Sequence, residues 1–511
     1  MLQRNNISST ESVWGKIKTS SFRAVKKNLT ADVCIMGSGI TGLTAAYLLS
    51  KAGKKVIVID KGGIADGETA YTTAHLTYVL DDKYFELEKI HGPDKIRLVL
   101  KSHSDAIDRI EDICVKEKID CDFARVDGDL FLSGNDDKKG EEILDLELQT
   151  MKKLGRNDVK KIDEKTKENS LGTHLRFPKQ AQFHPLKYLS GLIKIIQKHG
   201  GEIYEKSQAK DIQEDHEGVV VELENGCTIR AETAVIATHV PFNDRFKMHL
   251  KQAAYRTYVI AGEIPKNSVE KSLYWDTEAP YHYIRLVNKS SAGAQDFLMV
   301  GGEDHKTGQD DECGEKFQNL REWTQKNFPM MKRASLQWSG QIIQTMDGLA
   351  FIGLNPGNKR IYIGTGYSGS GMTYGTIAGS MLTDLIFGKE NSLAQLYHPA
   401  RKTVKALGRF MKESINVAEQ YAGGMATGSD VTLKDLTPGS GIVVAEGLKK
   451  IAVYKEKTGK ICKFSAVCPH LGCIVKWNNA ESTWDCPCHG SRFEAHGKVL
   501  NGPAPTDLET L

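Results

Sequence analysis

The sequence lacks a long apolar run, a strong excess of charge and a leader-like beginning. No apolar run approaches the ~18 residues that a helix needs to cross a bilayer. The net charge is only +3 over 511 residues, which indicates neither a nucleic-acid nor a membrane partner. The first 30 residues contain neither the apolar segment of a secretory signal nor a twin arginine. We therefore expect a cytoplasmic protein with no membrane span.

The cysteines do not form the regular framework of a small secreted protein. Of the ten cysteines, six are scattered along the chain and the other four fall in two short segments near the C-terminus. Hydrophobic residues make up 40% of the chain and charged residues 26%, as in ordinary globular proteins. A chain of 511 residues is long enough for about two to four domains.

Two short clusters near the C-terminus each offer a cysteine and a histidine for one metal site. They are residues 468–473 (CPHLGC) and 486–491 (CPCHGS). A [2Fe–2S] centre with two thiolates on one iron and two imidazoles on the other requires such a mixed set. A Cys₂His₂ set also suits zinc, although zinc fingers usually take two cysteines from one knuckle and two histidines from a helix. The predicted metal ligands are Cys468, His470, Cys486 and His489.

The C-terminal segment 431–511 resembles the Rieske [2Fe–2S] family, most closely the disulfide-containing type of cytochrome bc complexes. The resemblance implies a disulfide between Cys473 and Cys488, and a proline loop at 502–504 that covers the cluster. The chain departs from this type at Phe493, where a tyrosine would donate a hydrogen bond toward sulfur. Donors to sulfur stabilise the reduced cluster, so we expect a lower reduction potential than in respiratory Rieske proteins.

Residues 32–60 show a strand–turn–helix–strand pattern built around a GxGxxG turn. An apolar strand at 32–36 precedes the glycines, a helix runs from Leu43 to Ala52, and a second strand at 56–59 ends at an acid. The glycines allow backbone N–H groups to approach a pyrophosphate, and the acid can accept hydrogen bonds from a ribose. The predicted dinucleotide-binding residues are Gly37, Ser38, Gly39, Ile40, Thr41, Gly42, Asp60 and Lys61.

A second glycine-rich turn follows the apolar strand 361–363 and opens a helix from about Thr373 to Gly388. A second dinucleotide site would need an acid after a following strand, but Asp384 lies inside the helical run. We therefore interpret the turn as a helix N-terminus aimed at a flavin ring, where its dipole favours negative charge on the reduced ring. The predicted residues at the flavin are Gly366, Gly369, Gly371, Met372 and Thr373.

Residues 31 to about 400 resemble the D-amino-acid oxidase/glycine oxidase family of FAD enzymes. The resemblance is carried by the GSGITG turn, the segment 67–74 (GETAYTTA), the strand pair at 283–285 and 300–303, and the segment 346–353 (MDGLAFIG). It implies an α/β, Rossmann-like FAD-binding domain with an inserted α+β substrate domain. It also places Thr72 and Thr73 near FAD, and it implies oxidation of a C–N bond by hydride transfer to the flavin.

The resemblance also suggests how a substrate could be held, and here alternatives stay open. Arg285 would clamp a substrate carboxylate with a bidentate contact, or it is a structural arginine on a strand. Many family members read Gly-Arg-Pro where this chain has 339–341 (SGQ), which puts simple amino-acid specificity in doubt. His75 follows the threonines. Some relatives attach FAD covalently through a histidine, but for His75 an ordinary, partly buried histidine is favoured.

The organisation along the chain combines these motifs. The middle of the chain, from Tyr84 to Lys198, is rich in helical periodicity, with strands returning near 219–223 and 234–237. Trp14 in the lead-in is expected to dock on the body. The predicted divisions are a lead-in at 1–30, an FAD domain at 31–420 with a substrate sub-domain at about 84–200 and 250–340, a flexible linker at 421–430, and an all-β Rieske domain at 431–511.

A two-electron centre joined to a one-electron centre predicts an oxidoreductase. A small amine or amino acid would reduce FAD, and the cluster would pass the electrons one at a time to an external acceptor protein. Two alternatives stay open, a flavin reductase fed by a donor protein through the cluster and a non-catalytic redox sensor. A Rieske oxygenase is disfavoured, because its mononuclear iron site usually follows the Rieske domain, which here comes last.

Overall fold

The structure is a computed structural model. It describes residues 11–15, 22–133, 137–163, 171–242, 248–287, 295–310, 313–426 and 436–511. Parts of the predicted lead-in and of the predicted linker lie outside these residues. In the described part of the lead-in, Trp14 is 6% exposed and its indole N–H donates to the carbonyl of Thr72 at 2.6 Å. The expected docking of this tryptophan is therefore present.

The first sheet is built around the predicted strand–helix–strand unit. Val56–Ile59 is an uninterrupted run of four fully buried residues, as expected for a parallel strand covered on both faces. Within the described residues the sheet has eight strands, in the order β16-β17-β10-β1-β2-β7, with β9 on β10 and β8 on β9. Its strands are β1 (Leu29–Met36), β2 (Val56–Ile59), β7 (Glu202–Tyr204), β8 (Ala209–Glu214), β9 (Val219–Leu223), β10 (Thr228–Ile236), β16 (Phe351–Leu354) and β17 (Ile361–Thr365).

The large N-terminal part of the chain contains a second sheet. Among the described residues it has nine strands, in the order β15-β11-β14-β13-β12-β4-β6-β3, with β5 on β6. Its strands are β3 (His75–Leu76), β4 (Ala124–Phe131), β5 (Lys160–Asp163), β6 (Thr173–Gln182), β11 (Gln252–Pro265), β12 (Ser272–Asp276), β13 (Tyr283–Val287), β14 (Gln295–Lys306) and β15 (Leu336–Thr345). The periodicity in the middle of the chain predicted helices. This part of the chain also contains three strands of the second sheet, β4 to β6.

The helices cover the two sheets. Two of them, each of which follows a glycine motif, pack against each other. Helix α7 packs on α1 at Gly375 and Gly379, where an added Cβ would lie 2.4 Å from Ile40 Cγ2 and 2.7 Å from Thr44 Cβ respectively. None of the helices that the structure describes has the length and apolar character of a membrane span. The helices are α1 (Ile40–Lys51), α2 (Tyr84–His91), α3 (Pro93–Glu117), α4 (Lys138–Lys153), α5 (Pro185–Lys198), α6 (Lys316–Asn327), α7 (Gly371–Ile386) and α8 (Leu407–Ala426).

The C-terminal module consists of two small antiparallel sheets around its own core. Trp484 and Phe493 are fully buried there, in one apolar cluster with Cys468 and Cys486. The first sheet contains β18 (Gly441–Glu446), β19 (Lys449–Lys455) and β20 (Ile461–Ser465), and the second contains β21 (Lys476–Asn478), β22 (Thr483–Asp485), β23 (Arg492–Glu494) and β24 (Val499–Asn501).

The first part of the predicted flexible linker, up to Ala426, is helical. Helix α8 continues to Ala426, whereas the rest of the predicted linker lies outside the described residues. Val417 and Tyr421 on this helix pack against the core of the C-terminal module. Lys306 of β14 pairs with Glu413, and Gln309 donates to Asn416 at 2.8 Å. The helix therefore contacts both parts of the molecule.

Candidate active site and metal centre

A cavity of about 1310 Å³ is lined by residues of both large sheets and of the C-terminal module. This volume exceeds the ~300–1,000 Å³ of common small-molecule pockets, which suits a dinucleotide together with a substrate. The predicted residues that line it are Gly37, Ser38, Gly39, Ile40, Thr41, Asp60, Lys61, Thr72, Thr73, Gly369, Gly371 and Met372. Gly42, Gly366, Thr373 and Arg285 were also predicted to contact a ligand, but they do not line it.

The first glycine turn has a shape that only glycine permits. Gly37 has a φ of +103°, and a Cβ there would lie 2.4 Å from the carbonyl oxygen of Ala237. A Cβ at Gly42 would lie 1.9 Å from the carbonyl oxygen of Gly37, so Gly42 supports the turn from beneath. Helix α1 begins at Ile40, directly after the turn, so the N-terminal end of its dipole lies at the cavity that Ile40 and Thr41 line. The turn therefore fits the pyrophosphate of FAD.

Substitution of Gly42 by alanine is expected to weaken FAD binding by ~10- to 100-fold, because overpacking typically costs ~1–3 kcal/mol. The added methyl group must displace the Gly37 carbonyl, which shapes the cradle. Titration of apo-protein with FAD, followed by flavin fluorescence, measures the effect. Gly408→Ala is the control, since a Cβ there meets no atom within 4 Å. Equal FAD affinity in the two variants would contradict the assigned cradle.

The acid at the end of β2 is held at the mouth of the turn. Asp60 accepts hydrogen bonds from the Ser38 backbone N–H at 2.8 Å and from the Ser38 hydroxyl at 2.6 Å. The Gly62 N–H donates to its other oxygen at 3.0 Å. Beside it, Lys61 donates to the carbonyl of Leu500 in the C-terminal module at 2.6 Å. The end of the cavity at Asp60 and Lys61 is therefore in contact with that module.

Arg285 does not reach the cavity, which corrects its predicted role as a substrate clamp. Its guanidinium is 3% exposed and donates to the carbonyls of Thr73 at 2.8 Å and Ala74 at 2.7 Å. Burial lowers the pKa of Arg285 to about 9. The carbonyls of Thr73 and Ala74 lie against the guanidinium, as the alternative of a structural arginine on a strand expects. Arg285 instead supports the segment that carries the predicted FAD contacts.

His75 lines the cavity as a partly buried, neutral histidine. Burial, followed by the charge of Arg285, lowers the pKa of His75 to about 3. Its Nδ1 is 3.0 Å from the Thr73 hydroxyl and its Nε2 is 3.3 Å from the Ile284 carbonyl oxygen. Both ring nitrogens therefore have protein partners, as the ordinary structural interpretation expects.

The far end of the cavity carries an acidic and phenolic group of residues. Asp81 accepts from the Tyr281 hydroxyl at 2.8 Å and from the Gly369 N–H, so it ties the second sheet to the second glycine turn. The Tyr283 hydroxyl is hydrogen-bonded to Thr257 at 2.7 Å. Tyr281 and Tyr283 both line the cavity, as does Asp81, which the sequence did not indicate.

A second carboxyl, that of the partly buried Asp304, lies behind this group. Burial raises the pKa of Asp304 to about 7, and a hydrogen bond from Thr257 opposes the shift. Its Oδ1 is buried and lacks a hydrogen-bond partner in the described part of the chain. Because ionisation in the folded state is disfavoured, its cost to stability is absent below the ordinary pKa of 3.8 and fully present above about 7.

Asp304→Asn is therefore expected to increase stability relative to the unchanged chain as the pH rises from 5 to 8. The gain should grow by up to ~1.4 kcal/mol per pH unit below the folded pKa, since one pKa unit corresponds to that energy. Chemical unfolding at several pH values measures the difference between the two proteins. A difference that is the same at pH 5 and pH 8 would exclude the raised pKa.

The two metal-binding segments of the C-terminal module converge. The His470 and His489 rings lie 4.9 Å apart between centroids. The Cys468 and Cys486 thiols hydrogen-bond each other, and Cys473 and Cys488 form a disulfide. The two segments that the sequence motifs assigned to one metal site therefore lie next to each other in the structure.

The surroundings of the two thiols suit a [2Fe–2S] cluster. The backbone N–H groups of His470 and Leu471 favour the thiolate form of Cys468, and those of Cys488 and His489 favour the thiolate form of Cys486. Groups of this kind stabilise the negative charge of a thiolate-bound cluster. Ser491 also favours the Cys468 thiolate, and its Oγ accepts from the Ala504 N–H at 3.0 Å, which fixes the proline loop. The donor set and its orientation therefore fit the cluster; the lower potential expected from Phe493 stays a prediction.

The second metal-binding segment is packed against the wall of the cavity. A Cβ on Gly490 would lie 2.1 Å from Ala254 Cβ on β11. The Gln341 side chain on β15 donates to the Gly490 carbonyl at 2.7 Å, and the Gln309 side chain donates to the Pro487 carbonyl at 2.8 Å. Motifs in the sequence gave no sign of this contact, which joins segments far apart in the chain.

A buried ion network fixes the same interface. Arg256 on β11 donates to the two carboxylate oxygens of Glu481 at 3.1 and 2.7 Å, and Arg492 approaches Glu481 at 2.9 Å. Ser339 also hydrogen-bonds Glu481. Burial alone would raise the pKa of Glu481, but the charges of Arg256 and Arg492 lower it to about 2. All four side chains line the cavity, and none was identified from the sequence.

Comparison with known proteins agrees with both parts. The FAD dependent oxidoreductase family matches residues 32–385, and the Rieske [2Fe-2S] domain matches residues 430–511. YhfW of Bacillus subtilis, named as a Rieske 2Fe-2S iron-sulfur protein, is 31% identical over 96% of this chain and 95% of its own.

Two further likenesses concern the large N-terminal part. Gamma-glutamylputrescine oxidoreductase of Escherichia coli is 24% identical over 76% of this chain and 92% of its own. The crystal structure of glycine oxidase from Geobacillus kaustophilus has a TM-score of 0.61 at 18% identity, covering 73% of this chain and 100% of its own. The chain belongs to the FAD dependent oxidoreductase family and carries a C-terminal Rieske [2Fe-2S] domain.

Proposed function

We propose that this FAD-dependent oxidoreductase oxidises a C–N bond of a small amine or amino acid and delivers the electrons through its Rieske cluster to an external acceptor protein. FAD would take up two electrons from the substrate, and the [2Fe–2S] cluster would carry them singly to the acceptor. The observation that carries the proposal is the seating of the metal-binding segment at Gly490 on strands that also line the FAD cavity.

Residues at different positions along the cavity would have different roles. The turn at 37–42 would bind the pyrophosphate, with Asp60 at the ribose end. The N-terminus of α7 at Gly371 would favour negative charge on the flavin ring. Tyr281 and Tyr283 would form the substrate wall, where they exclude water and orient the reacting carbon.

The charges at the substrate end favour recognition of an amine over a free carboxylate. Asp81 lines this end, Asp304 lies behind it, and Arg285 is engaged by backbone carbonyls instead of facing the cavity. A carboxylate can accept hydrogen bonds from a substrate ammonium group, and it repels another carboxylate. The E. coli relative named gamma-glutamylputrescine oxidoreductase is consistent with an amine substrate.

An anaerobic screen of amines tests the proposed reaction. The holoprotein would be mixed with γ-glutamylputrescine, other primary amines, N-methyl amino acids and D-amino acids, and the flavin absorbance would be followed. At least one amine should bleach the flavin, with amines lacking a carboxylate next to the reacting carbon reacting faster than amino acids. If dithionite bleaches the flavin but no amine or amino acid does, the proposed substrate class is wrong.

A further inference from the structure

Two hairpins of the C-terminal module bring three potential metal ligands together outside the cluster-binding segments. Glu456 directly follows β19 and Cys462 lies on β20, whereas His496 lies in the turn between β23 and β24. The ligand atoms of these three residues all lie within 4.8 Å of one another. Because the two hairpins belong to different small sheets, the group connects both sheets of the module.

The distances within this group match those between the ligands of one zinc ion. Cys462 Sγ lies 3.3 Å and His496 Nε2 lies 3.5 Å from the same oxygen, Glu456 Oε1. Zinc bonds of ~2.0 Å to oxygen or nitrogen and ~2.3 Å to sulfur place tetrahedral ligand atoms about 3.3–3.6 Å apart. The His496 side chain is 55% exposed, so its ring can turn to complete the geometry. A thiolate and an imidazole also favour zinc over Mg²⁺ and Ca²⁺.

A comparable group in the large N-terminal part does not have this spacing. The ligand atoms of Asp276, Glu278 and His282 also lie within 4.8 Å of one another. His282 Nδ1, however, is only 2.7 Å from the Asp276 carboxylate, which is a hydrogen-bond distance and too short for two atoms that share a metal ion. That group is therefore explained by hydrogen bonding alone.

The ligands of the first group are held by contacts that leave their coordinating atoms available. Thr458 donates at 3.0 Å to the other oxygen of Glu456, Oε2, as partners outside the coordination sphere do for ligating carboxylates. The turn that carries His496 packs against β20, since a Cβ on Gly497 would lie 3.0 Å from Phe464 Cδ1. Both hairpins are therefore fixed beside each other before a metal binds.

We propose that Glu456, Cys462 and His496 form a zinc site that joins the two small sheets of the C-terminal module. Zn²⁺ binds Cys462 Sγ, whose proton passes to solvent, together with Glu456 Oε1 and His496 Nε2, and water takes the fourth position. The Lys460 ammonium, 3.7 Å from Glu456 on a side chain that is 72% exposed, is displaced at little cost. None of these residues is a predicted cluster ligand, so the chain can hold zinc and the [2Fe–2S] cluster together.

Equilibrium dialysis of the FAD- and cluster-loaded full chain against buffered Zn²⁺ tests the site. The unchanged chain should bind one zinc in addition to the two irons of its cluster, and excess Mg²⁺ should not displace it. Glu456→Gln, Cys462→Ser and His496→Gln should each bind zinc at least ~10- to 100-fold more weakly, since even partners outside the coordination sphere contribute that much. Glu446→Gln is the matched control, because it breaks an exposed pair with Lys463 in the same domain.

Thermal unfolding gives a second readout on the same samples. Saturating zinc should raise the melting temperature of the unchanged chain and of Glu446→Gln but not that of the ligand variants, because a ligand that binds only the folded state stabilises it. Glu456→Gln decides the outcome if either other ligand variant does not fold, since Glu456 lies in a partly exposed turn. An iron-loaded unchanged chain that binds no zinc would overturn the site. Ligand variants that bind zinc as tightly as Glu446→Gln would overturn it too.

Discussion

Glu481→Gln is expected to separate the Rieske domain from the flavin domain, at a cost of about 3–5 kcal/mol, because it leaves two buried guanidinium groups without their shared counter-charge. Arg256 and Arg492 both contact Glu481, and the side chain of Arg256 is 2% exposed and that of Glu481 10%. Hydrogen exchange at the β11 and β23 backbone, together with thermal unfolding, measures the loss of the docked arrangement.

The same network has a defined pH range. The pKa of Glu481 is about 2, below its ordinary value of 4.5, so its stabilising effect is present above 4.5 and is lost as the pH falls toward 2. Glu446→Gln is the control, because it breaks an exposed pair with Lys463 in the same domain, and exposed pairs contribute ~0–1 kcal/mol. If the two variants are equally stable and equally protected from exchange, the network does not hold the interface.

Cys486→Ser is expected to abolish the [2Fe–2S] cluster while leaving FAD bound. Cys486 is 1% exposed and lies in the second metal-binding segment, where the alcohol of a serine would be a much poorer ligand for iron than a thiolate. The variant should lose its iron and its EPR signal. Its flavin should still be reduced by substrate, but electron transfer to an external one-electron acceptor should fall by orders of magnitude.

Cys462→Ser is the matched control for the cluster variant, since Cys462 lies on β20 of the same domain outside both metal-binding segments. It should keep its iron and its activity toward the acceptor. Metal analysis also decides between the two metals that the ligand set allows. Zinc in place of iron in the unchanged chain, or full acceptor reduction by Cys486→Ser, would refute the assigned cluster.

Short motifs were predictable from the sequence because their chemistry is local. The strand at 56–59 has the predicted bounds, since an uninterrupted run of β-branched residues suits a strand buried on both faces. The GxGxxG turn needs only contacts within a few residues to be recognised. The two metal-binding segments carry their ligands and their sulfur donors within a few positions of each other.

The long-range contacts around the cavity were not predictable, because the residues that form them lie far apart along the chain. Arg285 has the strand position expected of a substrate clamp, and only the folded chain shows the carbonyls of Thr73 and Ala74 against it. Nothing near Glu481 in the sequence indicates Arg256 as its partner. The absence of the family's arginine from residues 339–341 was visible in the sequence, whereas the contact between Gln341 and Gly490 required the structure.

We propose that flavin and cluster form one electron path within the docked chain. The most direct test is anaerobic reduction of the flavin in the loaded full chain, without a mediator, with flavin absorbance and cluster EPR recorded on the same samples. The EPR signal of the reduced Rieske cluster should appear as the flavin is bleached, at a rate that does not depend on protein concentration. A flavin that stays reduced beside an oxidised cluster would contradict the proposed electron path.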